Sequence, residues 1–451
     1  MRNRELLGSR EPRACQNKGS PSDPPQILTA LGGGLDTAGG SRSVSMSGRR
    51  SHAGRARDRA RPLSVTVVTQ GVGRGRLLNA LIDHTDPHQA RYLILTVRGG
   101  DGPLLEDMAA RGVEVRALGM SDGSLESVPL ATLRLRRMLE AARPDVIHSM
   151  LFYPSLMAEL ARTLWVGAPP SLVVRHHNAL HHLYGRRLHV QLDRWTACHA
   201  THVVGVSQAV AGTLSGAERV PAEHVTVIYN GLDWEGTVEV DAAAAAGWRR
   251  RFGDRPLLVA AGRITGEKDY PTLLRTLVRV IGSYPDALLV VAGTGSNDER
   301  VRLEQLARSL GVHRAVEFVG WVPHVYDLMA AADVFIQSSI DEAFSQTIGE
   351  ARGLGVPLAT TTVGGVREVV GEDHQTIAAG DDLELARRIV FLLDDPEMAR
   401  ARAAAAAPST RERFTAGAMT DSYVTLYKQL AGSSGSPPAG RAGDSRPSVG
   451  D

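Results

Sequence analysis

The chain has 451 residues, with 51 Lys and Arg against 49 Asp and Glu, and 43% of it is apolar. A net charge of +2 and 5% aromatic residues leave no basic, aromatic footprint for nucleic acid. Two cysteines, Cys15 and Cys198, form no CxxC pair, which excludes a disulfide framework or a thiolate zinc site and fits a reducing compartment.

Residues 1–62 are rich in Gly, Ser, Pro and Arg and carry too little apolar surface to offset ordering entropy. They read as a disordered basic extension without the apolar stretch of a signal peptide. Its basic run 49–57 is either a solvated tail or a contact for an anionic surface. From residue 63 strands and helices alternate. Strands are predicted at 64–68, 92–97, 113–115, 146–148, 172–174 and 203–206, with helices from 77, over 103–111, around 130–142 and over 155–164. A low-complexity Ala stretch, 240–246, follows and predicts a hinge near 235–245.

The pattern then restarts. Strands are predicted at 257–261, 288–292, 316–319, 334–337 and 357–360, with helices over 270–284, 298–310 and 325–331 and one from Glu350. Strictly alternating strands and helices imply parallel sheets covered on both faces. The expectation is α/β: two doubly wound, Rossmann-like domains, 63–238 and 239–414, facing a cleft. A final helix over 415–431 and a disordered tail over 432–451 follow. No apolar run is long enough to span a bilayer, so a cytoplasmic protein is expected.

Two constellations carry chemistry. Glu342 and Glu350 lie in Ser339-Ile340-Asp341-Glu342-Ala343-Phe344-Ser345-Gln346-Thr347-Ile348-Gly349-Glu350. A strand-loop-helix unit of this kind presents backbone N–H groups and a helix N-terminus, which suit a phosphate, and carboxylates, which suit sugar hydroxyls. Taken alone, the pair equally fits an exposed loop Glu and a helix-start Glu favoured by the macrodipole. The second constellation is Gly262-Arg263 with Lys268 five residues on, at the end of a strand. Arg offers a fork and Lys a point charge, the two ways of binding a diphosphate. A solvated surface loop is the alternative.

Together these segments resemble the retaining family 4 glycosyltransferases of the GT-B fold, over about residues 63 to 425. Gly71-Val72-Gly73 with 74–81 resembles the Gly-rich loop and first helix. Arg143-Pro144-Asp145-Val146-Ile147-His148, Val206-Ser207-Gln208-Ala209-Val210, Ile228-Tyr229-Asn230-Gly231-Leu232-Asp233, Ala292-Gly293-Thr294-Gly295 and Gly320-Trp321-Val322-Pro323 follow in the family's order.

The resemblance implies a transferase that takes a sugar from a nucleoside diphosphate, UDP being the expected nucleotide, to a glycan, lipid-linked sugar or small metabolite with retention of configuration. No metal is expected, since the sequence has no Asp-x-Asp loop, and no further cofactor is expected. Arg263 and Lys268 would neutralise the leaving diphosphate. Glu342 would hold sugar hydroxyls, the Phe344, Ser345, Gln346 and Thr347 backbone would contact sugar and phosphate, and Glu350 would bind ribose. Gly71 and Gly73, counted with the donor-binding residues, would face the leaving phosphate or the acceptor across the cleft. His177 would sit beside the reacting sugar, with His176 the alternative one residue away.

The chain departs from the family at several points. Ala343 stands for Gly, Ser345 for Pro, Asp269-Tyr270 for Gly-Phe, Arg352-Gly353 for Met-Ala, and Thr361-Thr362 where Asp is usual. The segment 181–190 is basic and partly apolar, either an interfacial helix for peripheral membrane contact or a half-buried domain helix. The alternative functions are a GT-B sugar-nucleotide epimerase or hydrolase, and a nucleotide-sugar-binding scaffold without turnover.

Overall fold

The computed structural model describes residues 61–433, apart from 72–75, 100–101, 121–126, 168, 177–186, 373 and 376. The expected disorder of 1–62 and of the C-terminal tail therefore falls almost wholly outside the described residues. Two parallel sheets organise the rest. The first comprises β1 (Leu63–Thr69), β2 (Ala90–Thr96), β3 (Glu114–Ala117), β4 (Val146–Met150), β5 (Ser171–His176), β6 (His202–Gly205) and β7 (Val225–Val227), in the order β3-β2-β1-β4-β5-β6-β7. The second comprises β8 (Leu257–Ala261), β9 (Leu288–Ala292), β10 (Val316–Gly320), β11 (Val334–Gln337) and β12 (Leu358–Thr360), in the order β10-β9-β8-β11-β12.

Both orders reverse direction beside the first strand, between β1 and β4 and between β8 and β11. Open α/β sheets bind ligands outside the strand C-termini at such a switch point.

Both faces of each sheet are apolar, which is why the strands read as continuous hydrophobic runs. In the second sheet Leu257, Val259, Leu288 and Val290 fill one core, while Leu258, Ala260, Leu289 and Val291 fill the other. Each such Leu or Val side chain contributes roughly 1.5–3 kcal/mol when buried. In the first sheet Val65 and Val67 face one layer and Val68 the other. The layer holding Val65 is completed by Met419, Tyr423 and Tyr427 of the Ala416–Ser433 helix. This helix follows the second domain in sequence yet packs on the first sheet, where the Tyr427 hydroxyl lies 2.6 Å from His148 Nδ1.

The chain crosses between the domains twice, and the crossings run side by side. Leu232 N donates to Phe414 O at 3.0 Å and Ala416 N to Leu232 O at 3.0 Å. Gly231 permits this approach, since a Cβ there would overlap the backbone of Thr415 and Ala416. Glu368 ties the domains a third time. Its carboxylate accepts from Gln208 N (2.8 Å), Ala209 N (2.9 Å) and the Tyr229 hydroxyl (2.9 Å), so a residue of the second domain caps a helix of the first. Burial, then the Glu368 hydrogen bond and charge, push the Tyr229 hydroxyl up to about 12.

Several elements differ from the sequence reading. The Ala stretch expected to be a hinge begins the Ala242–Phe252 helix, capped by Asp241, which accepts from Ala243 N and Ala244 N. Alanine is the strongest helix former, so low complexity hid a helix there. The helices Asp382–Asp394 and Pro396–Arg413 and the strand β7 were not foreseen. The basic segment continues from Arg187 as an ordinary domain helix, Arg187–His199, with Asp193, Thr196 and Ala197 buried; its first part, 181–186, lies outside the described residues. Among the described residues no helix is long and apolar enough to cross a membrane.

Candidate functional site

The switch point of the second sheet opens into a cavity of about 370 Å³. Its walls come from the loops after β8 and β11. After β8 the chain turns at Gly262, whose carbonyl lies where a Cβ on Gly293 would sit, so the two strand ends meet through glycines. A single 3₁₀ turn, Gly266–Lys268, then presents Lys268.

Asp269 follows in the left-handed region at φ 46° and caps the Tyr270–Ser283 helix, accepting from Thr272 N at 3.3 Å and the Thr272 hydroxyl at 2.5 Å. Asp tolerates this conformation better than most residues and supplies the cap, which explains how it can stand for Gly at this position.

The two loops are bonded to each other. The Ser338 hydroxyl donates to Lys268 O (3.0 Å) and Asp269 O (2.8 Å), and Ile340 N donates to Glu267 O (2.9 Å). Lys268 thereby reaches Glu342, and the two form an ion pair with side chains only 17% and 11% exposed. Ser339 Oγ donates to the same Glu342 oxygen at 2.9 Å. Arg263 stands further out, 73% exposed, with its guanidinium 3.5 Å from Glu267.

Gly364 and Gly365 lie directly under this loop. A Cβ on either would run into the carbonyl oxygen of Glu342 or Ala343. The loop has no positive φ at Ala343, so glycine is not required there. Ser345 sits at φ 63°, which a proline ring locked near −65° could not adopt. Its hydroxyl donates to Gln337 Oε1 at 2.8 Å, which fixes the start of the Gln346–Gly353 helix at the cavity.

Of the predicted residues, Gly262, Arg263, Lys268, Glu342, Phe344, Ser345, Gln346 and Thr347 all line this one cavity. Glu350 does not. The helix begins four residues before it, at Gln346, so Glu350 lies in the second turn and not at the helix start. It is 0% exposed, with the Tyr326 hydroxyl donating to it at 3.3 Å. Gly71 follows β1 at the first sheet's switch point and is not part of the wall. Gly73 and His177 lie outside the described residues, and His176 ends β5.

Three lining residues were not singled out: Glu267, Asp341 and Asn230, the last contributed by the crossing segment between the domains. Burial raises the Asp341 carboxyl above its ordinary value, and the charges of Glu342 and Glu267 raise it further. Burial, then the Glu342 charge, push the Tyr270 hydroxyl up as well. The Asn230-Gly231 turn dipeptide was the one visible signal among the three.

The arrangement offers two cations, the unshared amides of a helix first turn and three carboxylates around one opening. The model for Glycosyltransferase Family 4 matches residues 73–235, and that for Glycosyl transferases group 1 matches residues 248–408. A D-inositol 3-phosphate glycosyltransferase of Thermobispora bispora is 30% identical over 344 residues, covering 70% of this chain and 78% of that protein.

The chain belongs to the group 1 glycosyl transferases. This glycosyl transferase is also 31% identical to the lipopolysaccharide core biosynthesis glycosyltransferase LpsD of Rhizobium meliloti, over 39% of the chain, and the match spans only 50% of that relative's length. Anabaena HepE in complex with UDP and glucose superposes with a TM-score of 0.71 at 21% identity, over 81% of this chain and 100% of that one. The fold of this group 1 glycosyl transferase is GT-B.

Proposed function

We propose that the protein transfers a sugar from a nucleoside diphosphate, with UDP the expected nucleotide, to a hydroxyl acceptor such as a glycan, lipid-linked sugar or small metabolite, and that it retains the anomeric configuration as in family 4. One observation carries this reading: Lys268 and Arg263 line one cavity with the first turn of the Gln346–Gly353 helix at the switch point of the second sheet. The complex of HepE with UDP-glucose supports the choice of donor class.

Breaking the anomeric C–O bond leaves positive character on the sugar and negative charge on the diphosphate. Preorganised cations and N–H donors stabilise that charge without reorganising. Lys268 is held by Glu342 until a diphosphate offers it more charge. The exchange releases the Glu342 carboxylate to accept from sugar hydroxyls. Asp341, whose carboxyl is raised by burial and by the neighbouring carboxylates, lines the same cavity. Glu350 remains the proposed ribose partner, a role that requires the cavity wall to move and uncover a carboxylate that is 0% exposed.

The test is a transfer assay with UDP-, GDP- and ADP-linked hexoses against a panel of hydroxyl acceptors, with the anomeric configuration of the product read by NMR. A product with the donor's configuration, plus free nucleoside diphosphate, is expected. An inverted product overturns retention, and nucleotide release with no glycosylated product on any acceptor overturns transfer.

A further inference from the structure

The second domain holds a larger cavity, about 520 Å³, at the opposite end of the Gln346–Gly353 helix. Arg352 of that helix lines it, together with Arg388 of the Asp382–Asp394 helix, Arg402 of the Pro396–Arg413 helix and His374. No carboxylate is among its described lining residues. Arg388 and Arg402 make no ion pair among the described residues, and Arg388 Nε is buried without a hydrogen-bond partner. The Arg388 guanidinium lies over the Phe391 ring at 5.6 Å, and Leu392 and Met398 complete an apolar wall.

The Arg388 guanidinium is half-buried with its Nε unpartnered, a cost in free energy that an anion removes, and the exposed Arg402 adds a second fork beside it. Arg is the side chain suited to phosphate, because its fork bonds two oxygens at once. The charges here already act on one another. Burial, then Arg402, hold Arg388 below its ordinary value. Burial, then Arg388 and Arg352, bring His374 down to about 4. A half-apolar, half-cationic chamber of this volume fits a small organic molecule bearing a phosphate.

We infer that this cavity is a second anion site, separate from the donor cavity, that takes a phosphorylated small molecule with its phosphate against Arg388 and Arg402 and its organic part against Phe391. The reading is independent of the donor assignment. The bound phosphate would lie at the C-terminal turn of the helix whose first turn lines the donor cavity.

Calorimetric titration of inorganic pyrophosphate into the full chain tests it, in a background that removes the donor cations (Arg263→Ala with Lys268→Ala). Saturable binding should persist in that background, and adding Arg388→Gln with Arg402→Gln should weaken it by about a hundredfold. Absence of binding in the donor-cation background overturns the proposal, as does affinity untouched by the Arg388 and Arg402 changes. If the double Arg variant fails to fold, Ser409→Glu, on the exposed rim of the same cavity, sets a carboxylate against the arginines without removing any. It should abolish binding in the same background, and retained affinity there would overturn the site.

Discussion

At the mouth of β8 and β11 each cation has a carboxylate at hand, Lys268 with Glu342 and Arg263 with Glu267. At the other end of the Gln346–Gly353 helix Arg388 and Arg402 have none among the described residues, and the Arg388 charge is partly buried. One helix thus separates two cavities that manage their charge differently. In the first, the positive groups are stored in ion pairs, held in place and ready to exchange an internal partner for a ligand. In the second, Arg388 and Arg402 have no carboxylate lining the cavity beside them, so an anion there would displace only water. Pairing costs some affinity, because the ligand must compete, but it keeps the cations positioned when no ligand is bound.

Variants that unbalance the first cavity should show the largest effects. Lys268→Ala should lower sugar transfer by about a hundredfold to a thousandfold, since one positioned charge on a leaving group is worth a few kcal/mol. Single-turnover rates read this directly, and a near-normal rate would remove Lys268 from the chemistry. Glu342→Gln should separate the two roles of its carboxylate. Nucleoside diphosphate should bind no more weakly, because its competitor for Lys268 is gone, while transfer should fall by about tenfold or more through the lost sugar contact. Weaker nucleotide binding with unchanged transfer would contradict the exchange.

The frame that holds the first cavity between two domains should be less sensitive. Glu368→Ala removes one acceptor shared by two helix N–H groups and the Tyr229 hydroxyl, and should cost about 1–3 kcal/mol. Denaturant unfolding measures this, and an unchanged midpoint would show that the clasp carries no stability.

The last effect appears only at acid pH and concerns His202 on β6. Burial, then His224, bring it from 6.5 down to about 4. The unfolded chain takes up this proton first, so His202 costs nothing above pH 6.5 and destabilises progressively as pH falls from 6.5 to 4. His202→Gln should flatten that part of the melting-temperature profile. Parallel profiles for variant and parent would contradict the shift.

The legible and illegible parts of the sequence divide on a physical line. Runs such as Leu257 to Ala261 and Leu288 to Ala292 announce strands because both faces of a doubly wound sheet are buried, and their order with the intervening helices was enough to imply the two sheets. The Arg263, Lys268 and Glu342 cluster was readable because its members lie close to strand ends. Glu350 was placed at a helix start because the residue that starts the helix, Ser345, does so through a left-handed backbone and a bond to Gln337, neither visible in periodicity. Asp341 and Glu267 join the site only when two loops 74 residues apart by the Lys268–Glu342 spacing fold together. Glycine weakens a helix interior, so Gly353 has no evident reason in the sequence. In the fold it makes room for the Trp234 ring, which a Cβ would overlap.

The claim that Lys268 belongs to a nucleotide site at this switch point is tested most directly by titrating UDP, GDP and ADP into the parent protein and into Lys268→Ala. One nucleotide, expected to be UDP, should bind the parent saturably and bind Lys268→Ala about tenfold to a hundredfold more weakly. Equal affinity in the two proteins, or no binding of any of the three by the parent at millimolar concentration, would contradict it.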